Sequence, residues 1–164
     1  MPMPLLIRRA TVADAREIAT HRALMFHEMG QLPEAALPAL VAQTEALLEP
    51  MLATGEYVGW LAAPADDPPA IAGGAGAQRR QVLPHPDGSG GVAAGRHAIV
   101  LNVWTEPRWR RQGVAVRLME AVLAWAREER LDRLVLHASE AGRPLYERLG
   151  FVRTNEMRYS RPLR

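Results

Sequence analysis

Two spacings of hydrophobic residues alternate along the chain and predict a mixed α/β fold. Short apolar runs predict five strands, at residues 5–7, 57–63, 70–83, 99–104 and 134–137. Apolar residues three and four positions apart predict helices at 11–29, at 33–52 and from 113 onward, with a short helix around 146. Two further runs, 151–153 and 157–160, predict a closing hairpin. The predicted order is β-α-α-β-β-β-α-β-α-β-β.

Residues that cap or interrupt regular structure refine these elements. Thr11 is the predicted N-cap of the first helix, with Asp14 three residues later. Pro38 lies in the first turns of the second helix, where it kinks the helix or delays its start. The run GGAG at 73–76 is interpreted as a thin strand rather than a phosphate loop, because neither GK[ST] nor a helix follows it. Glycine within a strand often marks a bulge or a close approach of the backbone.

The stretch 99–115 runs from a predicted buried strand through an arginine-rich turn into a helix. Pro107 ends the strand because it has no N–H to donate. The turn itself consists of Arg110, Arg111, Gln112 and Gly113. The first N–H groups of a helix have no partner within it and lie at the positive end of its dipole. A glycine there lets an anion approach them, so the turn is a predicted phosphate site.

Two motifs resemble those of one enzyme family. Residues 110–115, RRQGVA, fit the Q/R-x-x-G-x-G/A signature of the GCN5-related N-acetyltransferases (GNAT). Residues 141–151, AGRPLYERLGF, resemble the family's segment in which a tyrosine is followed four residues later by Gly-Phe. The resemblance, to the bacterial type of the family, extends from about 7 to 159 and is strongest over 101–157. It implies the GNAT fold as a single domain, residues 5–161, with a splayed central mixed sheet and helices on both faces.

The resemblance also implies an activity, which is the transfer of an acetyl group from acetyl-CoA to a primary amine of a small molecule or a protein by direct attack. Main-chain N–H groups around Val103 and Trp104 would hold the thioester oxygen, and Thr105 would pair its backbone with pantetheine. Ser139 takes the place of an asparagine that contacts the coenzyme in many relatives. The residues implied to hold the pyrophosphate are Arg110, Arg111, Gln112, Gly113, Val114 and Ala115.

Tyr146 is the general acid that the resemblance implies. It would protonate the departing thiolate, a role that a phenol with a pKa of about 10 permits. The alternative is a half-buried tyrosine that packs on Phe151.

Four residues are candidates for handling the proton of the amine. Glu106, at the end of the central strand, and Glu28, on the first helix, are carboxylates that could accept it directly or through water. Asn102 lies in an apolar strand and could orient the amine or a water. His137, among apolar neighbours, is interpreted as a core histidine.

The charge distribution agrees with an anionic cofactor on the second half of the chain. The 164 residues fit one domain, and the absence of cysteine excludes disulfides, catalysis by a cysteine thiolate and cysteine metal sites. All 20 basic residues are arginine, which explains a pI of about 9.6 beside a formal net charge of +2. Residues 1–57 hold 4 arginines and 7 acidic residues, net −3, whereas 79–164 hold 16 and 9, net +7. We expect the amine substrate to bind to the first half of the chain, where residues 1–52 would line its cleft.

Other partners are disfavoured. The five histidines lack metal-binding spacing such as HExxH, and the arginines form no dense stripe interleaved with aromatics, so neither a metal nor nucleic acid is expected. No long apolar stretch follows a basic start, so we expect a cytoplasmic protein without a membrane span. The expected partners are acetyl-CoA and an amine, and a homodimer is compatible with both. The alternative function is a non-catalytic acyl-CoA-binding regulatory module, which would share the phosphate turn.

Overall fold

A five-stranded sheet forms the centre of the fold in the computed structural model, which describes residues 4–164. The strands are β1 (Leu5–Arg9), β2 (Tyr57–Pro64), β3 (Gly73–Gln81), β4 (His85–Pro86), β5 (Val92–Ala93), β6 (Arg96–Thr105) and β7 (Arg133–Val135). The helices are α1 (Ala15–Glu28), α2 (Leu37–Thr54), α3 (Val114–Glu128) and α4 (Arg143–Arg148). The sheet order is β1-β2-β3-β6-β7, antiparallel except for the parallel pair β6 and β7. β4 and β5 form a separate short ribbon.

Helices cover both faces of the sheet, and each face has its own core. α1 and α2 pack on one face through a cluster that includes Leu48 and Tyr57. α3 packs on the other face, where Leu118 is fully buried. Trp60 of β2 meets Trp125 of α3 edge to face, with ring centroids 5.6 Å apart. This arrangement confirms the predicted mixed sheet with helices on both faces.

The glycine run of β3 is a strand, as predicted, and it makes room for close neighbours. β3 pairs with β2 on one edge and with β6 on the other. A Cβ atom at Gly76 would overlap the hydroxyl of Tyr57, so only glycine leaves space for this buried phenol. The pairing register with β6 shifts between Gly74 and Gly76, because β6 has one residue more than β3 over this stretch.

The first helical turn follows Thr11, as predicted, whereas α2 begins later than its predicted start at 33. Thr11 precedes a 3-10 turn, Val12–Asp14, that leads directly into α1. The Thr11 N–H donates to Asp14 Oδ2 at 2.7 Å. α2 begins at Leu37 with Pro38 in its first turn, so the proline delays the helix rather than kinking it.

The carboxylate of Asp14 gives the stability a pH dependence. Arg8 donates to both of its oxygens, at 2.8 and 2.9 Å, and these bonds lower the pKa of Asp14 to about 2 from an ordinary value of 3.8. A carboxyl group with a depressed folded-state pKa stabilises the fold fully above its unfolded pKa, and the contribution is lost as the pH falls through the folded pKa.

We expect Asp14→Asn to be less stable than the parent by up to about 1 kcal/mol at neutral pH, because it loses this ion pair. The difference should shrink below about pH 4 and vanish only below pH 2. Urea unfolding of both proteins across this range measures it, and a difference that stays constant with pH would contradict the assignment.

The C-terminal segment does not form the predicted closing hairpin. Residues 151–164 contain no strand, so the hairpin predicted from 151–153 and 157–160 is wrong. β7 has only three residues, and it therefore offers few backbone groups to a further strand. Met157 and Tyr159 are consequently 94% and 64% exposed.

Within residues 4–164, no helix is both long enough and apolar enough to cross a bilayer. Over the same range, no three His, Cys, Asp or Glu side chains are grouped as metal ligands would be. Residues 1–3, the start of the segment expected to line the amine cleft, lie outside the described residues.

Candidate active site

The sheet opens where β6 separates from β7. Parallel pairing joins the two strands only through residues 97–99 of β6 and ends at Val135 of β7. β6 continues to Thr105, and in the described part of the chain no strand pairs with this edge of β6 beyond Ile99. The main-chain groups of β6 that point to this edge therefore face a cleft.

A bulge in β6 lies at this opening. The register shift places Ala75 of β3 opposite both Asn102 and Val103. Asn102 has a φ of 58°, which is uncommon for residues other than glycine and serves here to accommodate the extra residue. As a result, Asn102 points to the α1–α2 face, where it contacts Tyr57, and Val103 packs at the α3 face.

The main-chain groups of Val103 and Thr105 point into the cleft. Groups of successive residues in a strand point to opposite edges. The Glu106 N–H donates to the carbonyl of Ala72 at 2.9 Å, so residue 106 faces β3, whereas 105 and 103 face the open edge. The Thr105 carbonyl accepts from Arg110 Nε at 3.1 Å, in agreement with this direction. The Val103 N–H is thus a donor that could stabilise an oxyanion in the cleft.

Trp104 lies between these two residues, and by the same alternation its N–H faces β3, where it is paired with Gly74. Of the two residues predicted to hold the thioester oxygen, only Val103 has its N–H on the cleft side.

The turn before α3 presents helix N–H groups without a side-chain cap. Arg111 and Gly113 both have positive φ, 60° and 83°, and Gly113 is the N-cap residue. Glycine adopts this conformation without strain. Gln112 folds its amide back onto the main chain of the preceding turn. The first-turn N–H groups, at Val114 and Ala115, are positioned as an anion site requires.

Arg110 is held by the first helix. Its terminal nitrogens donate to both oxygens of Glu28, at 2.5 and 2.6 Å, and its guanidinium lies 5.0 Å from the ring centre of Trp104. The hydrogen bonds from Arg110 lower the pKa of Glu28. A carboxylate stabilised in this way is a weaker base, which disfavours Glu28 as the proton acceptor. The ion pair instead holds the phosphate turn, residues 110–113, against the C-terminal end of α1.

Glu106 directly follows β6 and lies between the indole of Trp104 and the buried imidazole of His21. Its Oε1 accepts a hydrogen bond from Trp104 Nε1 at 3.1 Å and lies 3.7 Å from His21 Nε2. His21 Nε2 is also 3.0 Å from Glu17 Oε1, although the angle is outside that of a hydrogen bond. The Glu106 side chain is 30% exposed, so water can reach it. This carboxylate combines a fixed position with access to solvent, and unlike Glu28 it forms no ion pair with Arg110.

Asn102 is buried in a hydrogen-bonded row with Tyr57 and Arg22. Its Nδ2 donates to the Tyr57 hydroxyl at 2.9 Å, and its Oδ1 accepts from Arg22 Nη1 at 2.8 Å. Burial raises the pKa of Tyr57 to about 12, so this phenol is neutral. The side chain predicted to orient an amine or a water is therefore engaged with protein partners on both of its polar atoms.

Tyr146 lies on α4 and packs against the core on the α3 side of the sheet. Its ring meets Phe151 edge to face, with centroids 6.0 Å apart, and it lines a cavity of about 740 Å³ beside β7. Burial raises the pKa of Tyr146, so its hydroxyl stays protonated at neutral pH. Ser139 is engaged locally, because its Oγ accepts from the Gly142 N–H at 3.1 Å ahead of α4.

His137 is not a core histidine, and that interpretation is wrong. Its side chain is 67% exposed, and its Nε2 lies 2.9 Å from Glu156 Oε1. β7 ends at Val135, so residue 137 lies beyond the sheet and no strand alternation buries it.

Sequence reasoning missed three residues of this region. His21 carries a detectable signal, because it lies three residues after Ile18 on the face of α1 that becomes buried. Arg22 and Tyr57 are brought to Asn102 from 80 and 45 residues away, and no local pattern indicates such contacts.

Comparison with solved structures finds the same fold over nearly the whole chain. A GCN5-related N-acetyltransferase from Ralstonia eutropha is 31% identical, with 98% of this chain and 99% of that chain covered and a TM-score of 0.84. A predicted acetyltransferase with acetyl-CoA from Clostridium acetobutylicum is 23% identical, with 96% of each chain covered and a TM-score of 0.79. Glucosamine-6-phosphate N-acetyltransferase from Arabidopsis thaliana is 12% identical, with 98% and 99% covered and a TM-score of 0.69.

Sequence comparison leads to the same family. Among curated proteins, no significant match to the sequence is found. The model of the Acetyltransferase (GNAT) family matches residues 21–151, which is most of the chain. The chain therefore belongs to the GNAT family of acetyltransferases.

Proposed function

We propose that the chain transfers the acetyl group of acetyl-CoA to a primary amine by direct attack, as a single domain over residues 5–161. Acetyl transfer is the general activity of its family. The main support for the proposal is that β6, the phosphate turn and α3 follow one another directly along the chain. This one segment combines a cleft-facing N–H at Val103 with an uncapped helix N-terminus at Gly113.

The phosphate turn is suited to the pyrophosphate of the coenzyme. The N–H groups of Gly113, Val114 and Ala115 would bind its oxygens at the positive end of the α3 dipole. Arg111 is exposed beside them and adds positive charge, whereas Arg110 acts indirectly, because Glu28 already occupies its guanidinium. Ser139 contributes less than the resemblance implied, since its Oγ is taken by a main-chain N–H.

Thr105 is suited to hold the pantetheine arm along the open edge of β6. Its N–H and carbonyl face the side where β7 has already ended, and the carbonyl, which accepts from Arg110 Nε, has a second lone pair. An extended chain of amide groups could therefore pair there as a further strand would. Only the backbone of Thr105 is needed for this contact.

The transfer step uses groups on both sides of β6. The amine nitrogen attacks the thioester carbonyl carbon, a C–N bond forms, and the Val103 N–H stabilises the oxyanion. As the C–S bond breaks, Tyr146 gives its proton to the sulfur, and the amide and the coenzyme A thiol leave. Glu106 accepts the proton that the amine nitrogen loses, through a water that its exposure admits.

Two measurements on the purified chain test the proposal. We expect acetyl-CoA to bind with micromolar affinity in titration calorimetry, and a ligand at about 100 times its Kd to stabilise the fold by about 2.7 kcal/mol in a melting experiment. We also expect at least one amine of a broad panel to stimulate release of the coenzyme A thiol. Absence of both binding and a thermal shift at millimolar acetyl-CoA would contradict the proposal. Binding without release by any amine would favour the regulatory module.

A further inference from the structure

A second cavity, of about 340 Å³, lies beside the bulge of β6 on the α1–α2 face. Its walls are largely apolar, with contributions from Leu40, Leu47, Leu48, Met51 and Leu101. Asn102 also lines it, and the next residue is Val103, whose N–H faces the cleft. The cavity therefore lies one residue along β6 from the main-chain donor proposed to stabilise the oxyanion.

One positive charge lies in the wall of this cavity. Of the residues in the described range that line it, Arg22 alone carries a charge. Its guanidinium stacks on Phe26, 4.8 Å from the ring centre, and Nη1 donates to Asn102 Oδ1. These contacts fix the direction of the guanidinium without neutralising it.

The lack of a counter-charge distinguishes Arg22 from the other two partly buried arginines of the described chain. Among residues 4–164, the partly buried arginines are Arg22, Arg79 and Arg143. Arg79 is paired with Glu129 at 2.9 Å, and Arg143 with Glu140 at 2.6 Å. Arg22 has no carboxylate within 4.0 Å in the same part of the chain.

A half-buried cation without a counter-charge raises the free energy of the folded protein until an anion binds to it. Burial lowers the pKa of Arg22, which reflects the lost hydration of the charged form. A guanidinium has five N–H donors arranged as a planar fork, and Asn102 takes a single nitrogen, Nη1. The fork matches a carboxylate, and a single cation balances one negative charge rather than the two of a phosphate monoester.

We propose that the acceptor is a free amino acid with an apolar side chain, whose α-carboxylate pairs with Arg22. The side chain then occupies the apolar cavity, and the α-amine, two bonds from the carboxyl carbon, points towards Val103. A lysine or an N-terminus of a protein would bring no such carboxylate, because its carboxyl group is in a peptide bond. This inference rests on the proposed acetyl transfer and selects its substrate class.

The test compares amino acids with their amides, which keep the side chain and the α-amine but lack the carboxylate. We expect L-leucine, L-methionine and L-phenylalanine to stimulate thiol release with a kcat/KM about 100-fold above that of the corresponding amides. This comparison uses the unaltered protein, so it does not depend on the folding of any variant.

Arg22→Gln keeps an N–H for Asn102 and removes the charge. We expect it to lower kcat/KM for the amino acids by about 100-fold and to change that for the amides by less than about threefold, so that the preference disappears. Arg16→Gln is the matched control, because Arg16 is an exposed arginine on the same helix, and it should leave the preference unchanged.

The outcomes separate this inference from the proposed function. Equal rates with amino acids and amides, or a reaction confined to polyamines or lysine peptides, would overturn the amino-acid assignment while acetyl transfer stands. An undiminished preference in a folded Arg22→Gln protein would also overturn it. If no amine stimulates release, the proposed function itself fails.

Discussion

Replacing Gly113 with glutamate is expected to abolish acetyl-CoA binding, with an affinity lower by at least about 100-fold, or about 3 kcal/mol. Gly113 caps α3 with a φ of 83°, and its neighbours provide the N–H groups proposed to bind the pyrophosphate. A glutamate there would bring its own carboxylate to these groups and would repel the incoming phosphates. Titration calorimetry with acetyl-CoA measures the loss.

Gly113→Ala is the control for backbone strain. A Cβ atom at this position meets no atom within 4 Å, so alanine adds only the cost of a positive φ, about 1–2 kcal/mol, and no charge. We expect the alanine variant to bind acetyl-CoA within about tenfold of the parent while the glutamate variant does not. Normal affinity in a folded Gly113→Glu protein would mean that the coenzyme binds elsewhere.

Replacing Tyr146 with phenylalanine is expected to lower kcat by about 100-fold with little change in stability. The substitution keeps the ring that packs on Phe151 and removes only the hydroxyl. General acid catalysis contributes about 10²–10⁴-fold, and we expect the lower end because a thiolate is already a fair leaving group. The measurement is kcat at saturating amine, together with a melting curve of the same protein.

Tyr159→Phe provides the matched control, since this tyrosine is 64% exposed in the C-terminal segment. It should leave both kcat and the melting temperature unchanged. An unchanged kcat in Tyr146→Phe would assign Tyr146 a packing role and leave catalysis to the positioning of the substrates and to the Val103 N–H.

The predictable parts of the site are those that depend on local conformation. Gly113 marks the start of α3 because a residue with positive φ is cheapest as glycine, and this preference is visible without a structure. Similarly, the glycines of 73–76 indicate a close approach of the backbone, and a Cβ atom at Gly73 would overlap the carbonyl oxygen of Trp104. Such signals require knowledge of only a few neighbouring residues.

The parts that could not be predicted depend on contacts between distant segments. Glu28 is a reasonable base from its position on the first helix, but both of its oxygens are bound by Arg110, 82 residues later. Asn102 likewise accepts a hydrogen bond from Arg22, which lies on α1, the helix that also carries Glu28. Helical spacing indicates which face of α1 is buried, but it does not identify the partners of its polar residues.

The C-terminal hairpin fails for a related reason. Alternating apolar residues indicate that a segment is able to form a strand, but a strand also needs an edge to pair with. The three residues of β7 offer little edge, and 151–164 remains irregular. His137 is affected by the same short strand, because the sheet ends before it.

The fate of a labelled acetyl group tests acetyl transfer by this chain most directly. Protein, acetyl-CoA carrying carbon-13 in its acetyl group, and L-leucine are incubated and analysed by mass spectrometry beside a reaction with Gly113→Glu. We expect labelled N-acetyl-leucine and free coenzyme A in equal amounts with the parent protein, and neither with the variant. Parent protein that binds acetyl-CoA but passes no label to leucine or to any amine of the wider panel would contradict the proposed acetyl transfer.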